Sequence, residues 1–189
     1  SSLTLWNLMG ASAAQIEKID VAIIAFQNAI NIEPNAADAY NNLGNVLTEQ
    51  GNLDKAKESF NKAISIKPDY ADAYNNLGNV FLDENNLEAA AETFNQALSI
   101  NPDYAEAYHN MGNVLRRQNK PEGAIKFYNK YLSINPNFAE AYFGIGIAYQ
   151  DQGKSDEARS AFEKALAIDP THAGSNLSLS KICKYSRLD

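Results

Sequence analysis

The chain has almost nothing with which to hold a disulfide or a thiolate metal cluster: its 189 residues include one cysteine, Cys183. A single thiol excludes an intrachain disulfide framework and a thiolate zinc site. Histidine is nearly as scarce, and His109 and His172 leave little for metal binding or acid–base chemistry. Positive charge is also short, since 16 basic against 23 acidic residues leave a net charge of −7. A nucleic-acid binder needs a basic face to neutralise phosphates, so no nucleic-acid partner is expected. No apolar run approaches the ~20 residues of a membrane helix and no signal-peptide pattern opens the chain, so no membrane insertion is expected either. What remains is 45% hydrophobic and 21% charged, the composition of a folded, soluble and by expectation cytoplasmic protein with no cofactor or metal. The length allows one or two domains with a real core. The start, Ser1-Ser2-Leu3 without methionine, suggests a processed form or an excised piece.

Proline is sparse but regular. Five of six fall at 34, 68, 102, 136 and 170, an interval of 34 residues each time. A fixed period of this size is the mark of a repeat architecture. The units are 3–36, 37–70, 71–104, 105–138 and 139–172, followed by a remnant, 173–189. The fourth position is aromatic in each unit: Trp6, Tyr40, Tyr74, Tyr108 and Tyr142. The eighth is glycine (Gly10, Gly44, Gly78, Gly112, Gly146) and the twentieth alanine (Ala22, Ala56, Ala90, Ala124, Ala158). The twenty-fourth is again aromatic: Phe26, Phe60, Phe94, Tyr128 and Phe162.

In the second unit, Ala39, Tyr40, Leu43, Val46 and Leu47 share one helical face, while Asp38, Asn41, Asn45 and Thr48 share the other. A second apolar stripe, Ala56, Phe60, Ala63, Ile64 and Ile66, follows the turn Gln50-Gly51-Asn52, and Pro68 stops that helix. Small residues at positions eight and twenty imply two helices crossing at close range. Asp69 with Asp72, and Asp103 with Glu106, have the spacing of N-terminal capping boxes. Pro121, outside the 34-residue clock, suits the first residue of a helix.

Together these residues resemble the tetratricopeptide repeat (TPR) family, and the resemblance covers nearly the whole chain. It implies an all-α fold, a right-handed superhelical solenoid of five helix–turn–helix repeats in a single domain, 1–189. The remnant 173–189 carries Leu179 and Cys183 at positions seven and eleven of a sixth first helix. It reads as a capping helix or as the entry into a further domain, with Cys183 in packing.

No catalytic constellation emerges. His109 falls on the open face and His172 in an inter-repeat turn, neither with an evident carboxylate partner. Gly144-Ile145-Gly146 lies mid-helix with no strand before it, so it reads as close packing rather than a phosphate loop. The acids at position two, Asp38, Asp72, Glu106 and Glu140, are explained as helix caps.

Such solenoids work through the concave face of their first helices, at positions 2, 5, 6, 9, 12 and 13. The middle repeats carry a ladder of carboxamides there: Asn41, Asn42, Asn45, Asn75, Asn76, Asn79, Asn110 and Asn113, with His109 at position five of repeat four. An amide offers both a donor and an acceptor, matching the backbone of an extended peptide, though it can equally bridge neighbouring helices. The ladder resembles that of the O-linked N-acetylglucosamine transferase repeats, where such asparagines hold substrate peptides. It does not resemble the chaperone-tail carboxylate clamp, whose lysines and arginines are replaced here by acids and asparagines. Arg116 and Arg117 supply the cations of this face, as ligand anchors or as solvated charges. Phe143 and Ile147 turn repeat five apolar, to be covered by the terminal helix or to receive a ligand side chain. Tyr131 replaces the usual alanine at position twenty-seven, with Gly144 a candidate to make room for it.

The leading expectation is a non-enzymatic scaffold for a protein or peptide ligand. A transferase's repeat region, of sulfotransferase or glycosyltransferase type, and a self-associating platform are the alternatives. For the last, Leu5, Leu8, Ile23 and Ile24 are candidates for exposure at the N-terminal edge, where upstream sequence or a second copy would cover them.

Overall fold

The computed structural model describes residues 2–185, with side chains to residue 182; Cys183 and its expected packing lie outside the described side chains. Among the described residues the regular elements are eleven α-helices, with no strand. The chain divides into two compact units, Ser1–Pro102 and Asp103–Asp189.

The first unit holds three helical hairpins. They are α1 (Ser2–Gln15) with α2 (Ile19–Ile32), α3 (Ala37–Glu49) with α4 (Leu53–Ile66), and α5 (Ala71–Asp83) with α6 (Leu87–Ile100). The second holds α7 (Ala105–Arg117) with α8 (Pro121–Ile134), α9 (Ala139–Asp151) with α10 (Ser155–Ile168), and α11 (Ala173–Tyr185). Pro121 opens α8 as expected, where its missing N–H would have had no intrahelical partner.

Each hairpin is closed by one clamp. The position-24 ring lies against the position-8 glycine so closely that a Cβ on Gly44 would sit 2.5 Å from the Phe60 ring, and on Gly78 2.6 Å from that of Phe94. The rings of Phe94, Tyr128 and Phe162 have no solvent exposure, and neither do the position-20 alanines. Within unit 1, consecutive hairpins stack through α2 on α3 and α4 on α5. That stacking buries Ala39, Leu43, Ala73 and Leu77.

The turns share a feature that residue identity conceals. Position fifteen has positive φ in all five repeats: Glu17 (57°), Gly51 (79°), Asn85 (59°), Asn119 (57°) and Gly153 (72°). In repeat two, Gly51 N–H reaches Thr48 O at 2.9 Å and Asn52 N–H reaches Leu47 O at 2.8 Å. This paired closure of the helix C-terminus requires the left-handed residue. Glycine takes it without strain and asparagine tolerates it, whereas Glu17 holds it at a cost.

The expected capping boxes are out of register with the helix starts. Helices α5 and α7 start later than the acid spacing suggests, so Tyr70 and Tyr104 occupy the N-cap positions without a side-chain cap bond. Asp72 and Glu106 lie instead in the first helical turn, where a negative charge meets the positive end of the helix dipole.

Candidate functional site

In unit 1 the ladder separates into two kinds of amide. Asn41 and Asn75 are buried, each about 5% exposed. Asn76 Nδ2 donates to Asn41 Oδ1 at 3.0 Å, tying α5 to α3. Asn42, Asn45, Asn76 and Asn79 are half-buried. A cavity of about 350 Å³ opens between α3 and α5, lined by Asn45, Thr48, Glu49, Asn76 and Asn79, with Phe60 beneath. The Thr48 hydroxyl is spent on Gly44 O at 2.9 Å. The Asn45, Asn76 and Asn79 amides and the Glu49 carboxylate are therefore the groups this groove can offer a ligand. The Tyr70 hydroxyl donates to Asp38, and burial, with that bond, raises its pKa far above the ordinary tyrosine value.

In unit 2 the inner residues are largely engaged with one another. Tyr128 donates its hydroxyl to Asn113 Oδ1 at 2.7 Å. Burial raises the Tyr128 pKa, opposed by Arg116 beside it, which bonds the same hydroxyl. Gly144 gives room to Tyr128 rather than to Tyr131: a Cβ there would lie 2.6 Å from Tyr128 Cζ. Tyr131 packs instead on Phe138 and His109, with ring centroids 5.0 and 5.5 Å away. His109 consequently does not stand on an open face. Its ring is enclosed by Tyr128, Tyr131 and Phe138, and its Nε2 is buried without a hydrogen-bond partner. Burial holds the imidazole below the usual histidine range, against the opposing pull of Glu140.

His172 also differs from the sequence expectation, because it has a carboxylate partner: Nε2 lies 2.9 Å from Glu140 Oε2. Its Nδ1 accepts from Ser175 N–H at 3.1 Å, with Ser175 Oγ at 3.0 Å. The three residue types are those of a hydrolase triad, but Ser175 is fully buried and no substrate can reach it. The arrangement is a side-chain cap on α11. Phe143 lies over it, its ring 5.0 Å from that of His172 and against Gly174. The apolar residue of repeat five is thus packed under the start of α11. Among the described residues no cluster of metal-ligating side chains occurs, and no helix is long and apolar enough to cross a membrane.

Family models agree with this architecture. The TPR repeat model matches residues 14–51, 44–83, 78–119 and 112–153, and a tetratricopeptide repeat model matches 139–172. The chain belongs to the tetratricopeptide repeat family. Among solved structures it is similar to that of MamA protein, with 31% identity, a TM-score of 0.77 and coverage of 91% of this chain and 94% of that one. YrrB, described as a TPR protein with an unusual peptide-binding site, shares 21% identity at a TM-score of 0.76, over 93% of this chain and 90% of its own. PilF of Pseudomonas aeruginosa shares 21% at a TM-score of 0.89, over 98% and 85%. No curated protein matches the chain. The TPR reading therefore holds for both family and fold class, an all-α solenoid of repeats and an interaction scaffold.

The first TPR departs from the others at its edge. Leu5 and Leu8 are 66% and 61% exposed, whereas Ala39 and Ala73, the counterparts of Leu5 in the next two repeats, have no exposure. Ile24 is exposed, but Ile23 is not: it packs half-buried against the unit 1 core. Both isoleucines line a cleft with Leu43 and Leu47, because their helix face turns towards repeat two rather than the edge. Met9 on α1 and Ile16 just beyond it, which the repeat pattern does not single out, are also exposed.

Proposed function

We propose that this TPR protein is a non-enzymatic scaffold that holds an extended peptide segment along the asparagine-lined inner face of its first helices. The groove between α3 and α5 carries the proposal, because Asn45 and Asn79 line an open cavity and present donor and acceptor together. Asn42 and Asn76 extend the candidate surface of unit 1; Asn110, Arg117 and Ile147 are candidates on unit 2 taken by itself. YrrB, a TPR protein of similar fold, is described as having a peptide-binding site, which supports a peptide as the class of ligand. The test is an array of immobilised ten-residue unstructured peptides probed with the wild type and with Asn45→Ala, Asn79→Ala. Affinity for the peptides retained should fall by about 1–3 kcal/mol, two net hydrogen bonds, with an unchanged helical melt. Binders indifferent to the double change would assign these amides to packing alone.

A second reading, self-association, is favoured by the exposed α1 edge. Four large apolar side chains, Leu5, Leu8, Met9 and Ile16, stand on or just beyond one uncharged helix. Burying such side chains gains about 1.5–3 kcal/mol each before association losses. Sedimentation at high micromolar concentration should show a dimer or larger species, and Leu5→Glu, Met9→Glu should return it to monomer. A monomeric wild type sinks this reading.

A further inference from the structure

The charge of the unit 1 groove is of one sign. Helix α1 has no charged residue, α3 carries Asp38 and Glu49, and α5 carries Asp72 and Asp83; no lysine or arginine stands on any of the three first helices. Asp38 and Asp72 lie in first turns, where the helix dipole favours a carboxylate. Glu49 and Asp83 are the last residues of their helices, where the dipole opposes one, so helix stability does not account for them. Glu49 borders the cavity beside Asn45 and Asn79. Among the described residues no ion pair engages Glu49 or Asp83; the unit's ion pairs run from Lys57 to Asp54 and Glu84. The amides are neutral and offer donors and acceptors alike, so the carboxylates set the sign. The groove is therefore negatively charged, and no cation on its own helices neutralises it.

We infer that the segment taken up between α3 and α5 is basic, an extended peptide whose lysine or arginine side chains meet Glu49 and Asp83 while its backbone runs along Asn45 and Asn79. This rests on the peptide-groove reading and adds the chemistry of the ligand to it. Guanidinium and ammonium groups are cationic donors without an acceptor, which is what carboxylates select. Pairing them with Glu49 and Asp83 also relieves the opposition between these carboxylates and the helix dipoles.

The experiment uses the full chain and three labelled octapeptides, alternating alanine with lysine, with glutamine or with glutamate. Fluorescence anisotropy should rank lysine above glutamine above glutamate, with about tenfold between the first two at low salt, narrowing as salt rises. Glu49→Gln, Asp83→Asn should erase that preference, bringing the lysine and glutamine peptides to equal affinity. Glu88→Gln, Glu92→Gln, which removes two charges from the second helix α6, should retain it. Equal loss in both double variants would assign the preference to net charge and overturn the inference. Binding of the glutamine peptide that depends on Asn45 and Asn79, without a preference for lysine, overturns the basic ligand but keeps the groove. No binding of any peptide overturns both.

Discussion

Replacing Phe94 with alanine should destabilise unit 1 by about 3–5 kcal/mol, the range for removing a fully buried ring. The ring has no exposure and lies so close to Gly78 that a Cβ there would fall 2.6 Å from Cε1. Gly78→Ala on the wild type should therefore cost about 1–3 kcal/mol through overpacking, against a helix-propensity gain of about 1 kcal/mol. In the Phe94→Ala background the obstacle is gone and only the propensity gain remains. The same Gly78→Ala change should then stabilise. A double-mutant cycle by urea denaturation measures that reversal as coupling. A glycine substitution equally harmful in both backgrounds would show that something other than ring contact keeps this position small.

The second large effect lies where repeats four and five meet. Gly144→Asn gives position six of repeat five the residue it has in the middle repeats, yet it should destabilise unit 2 by about 2–3 kcal/mol. Its Cβ would meet Tyr128 Cζ at 2.6 Å and the Tyr128 hydroxyl at 2.9 Å. Tyr128→Phe alone should cost about 0.5–1.5 kcal/mol, because Asn113 loses its bond to that hydroxyl. Together the two changes should cost less than their sum. Phe60 and Asn76 already stand side by side at the unit 1 cavity, so the phenylalanine–asparagine pairing is compatible with this backbone. Strict additivity in thermal melts would exclude the hydroxyl as the source of the clash.

The repeat, its clamp and the start of α8 were legible in the sequence because each depends on one residue type recurring at one position. The glycine under each ring is such a case, since the space there admits little else. Position fifteen was not legible: the backbone requirement is constant, but glutamate, glycine and asparagine all meet it. The two roles of asparagine could not be separated either. Asn41 and Asn45 share chemistry and a helix, and only the approach of Asn76, 35 residues away, makes Asn41 a bridge. His172 looked unpartnered for the same reason, because Glu140 is 32 residues distant and the period of the chain brings them together. Ile23 looked free at the edge because nothing local shows which way its face turns, and its counterpart one repeat later is Lys57. That lysine itself turns onward to Glu84, at 2.6 Å in repeat three.

Inside unit 1, the main contacts of each helix are with its sequence neighbours, and the first helices also touch the first helix of the adjoining repeat. Such wiring is almost wholly local, which favours rapid folding from any hairpin that closes first. It also lets a hairpin open without its neighbours. In addition, α3 and α5 begin with the same ten residues, Ala-Asp-Ala-Tyr-Asn-Asn-Leu-Gly-Asn-Val. Early in folding, α2 meets two nearly interchangeable surfaces. Docking on α5 in place of α3 leaves one hairpin looped out, a trap escaped only by undocking. Amide exchange during refolding would register it as a slow phase in which α3 and α4 gain protection last.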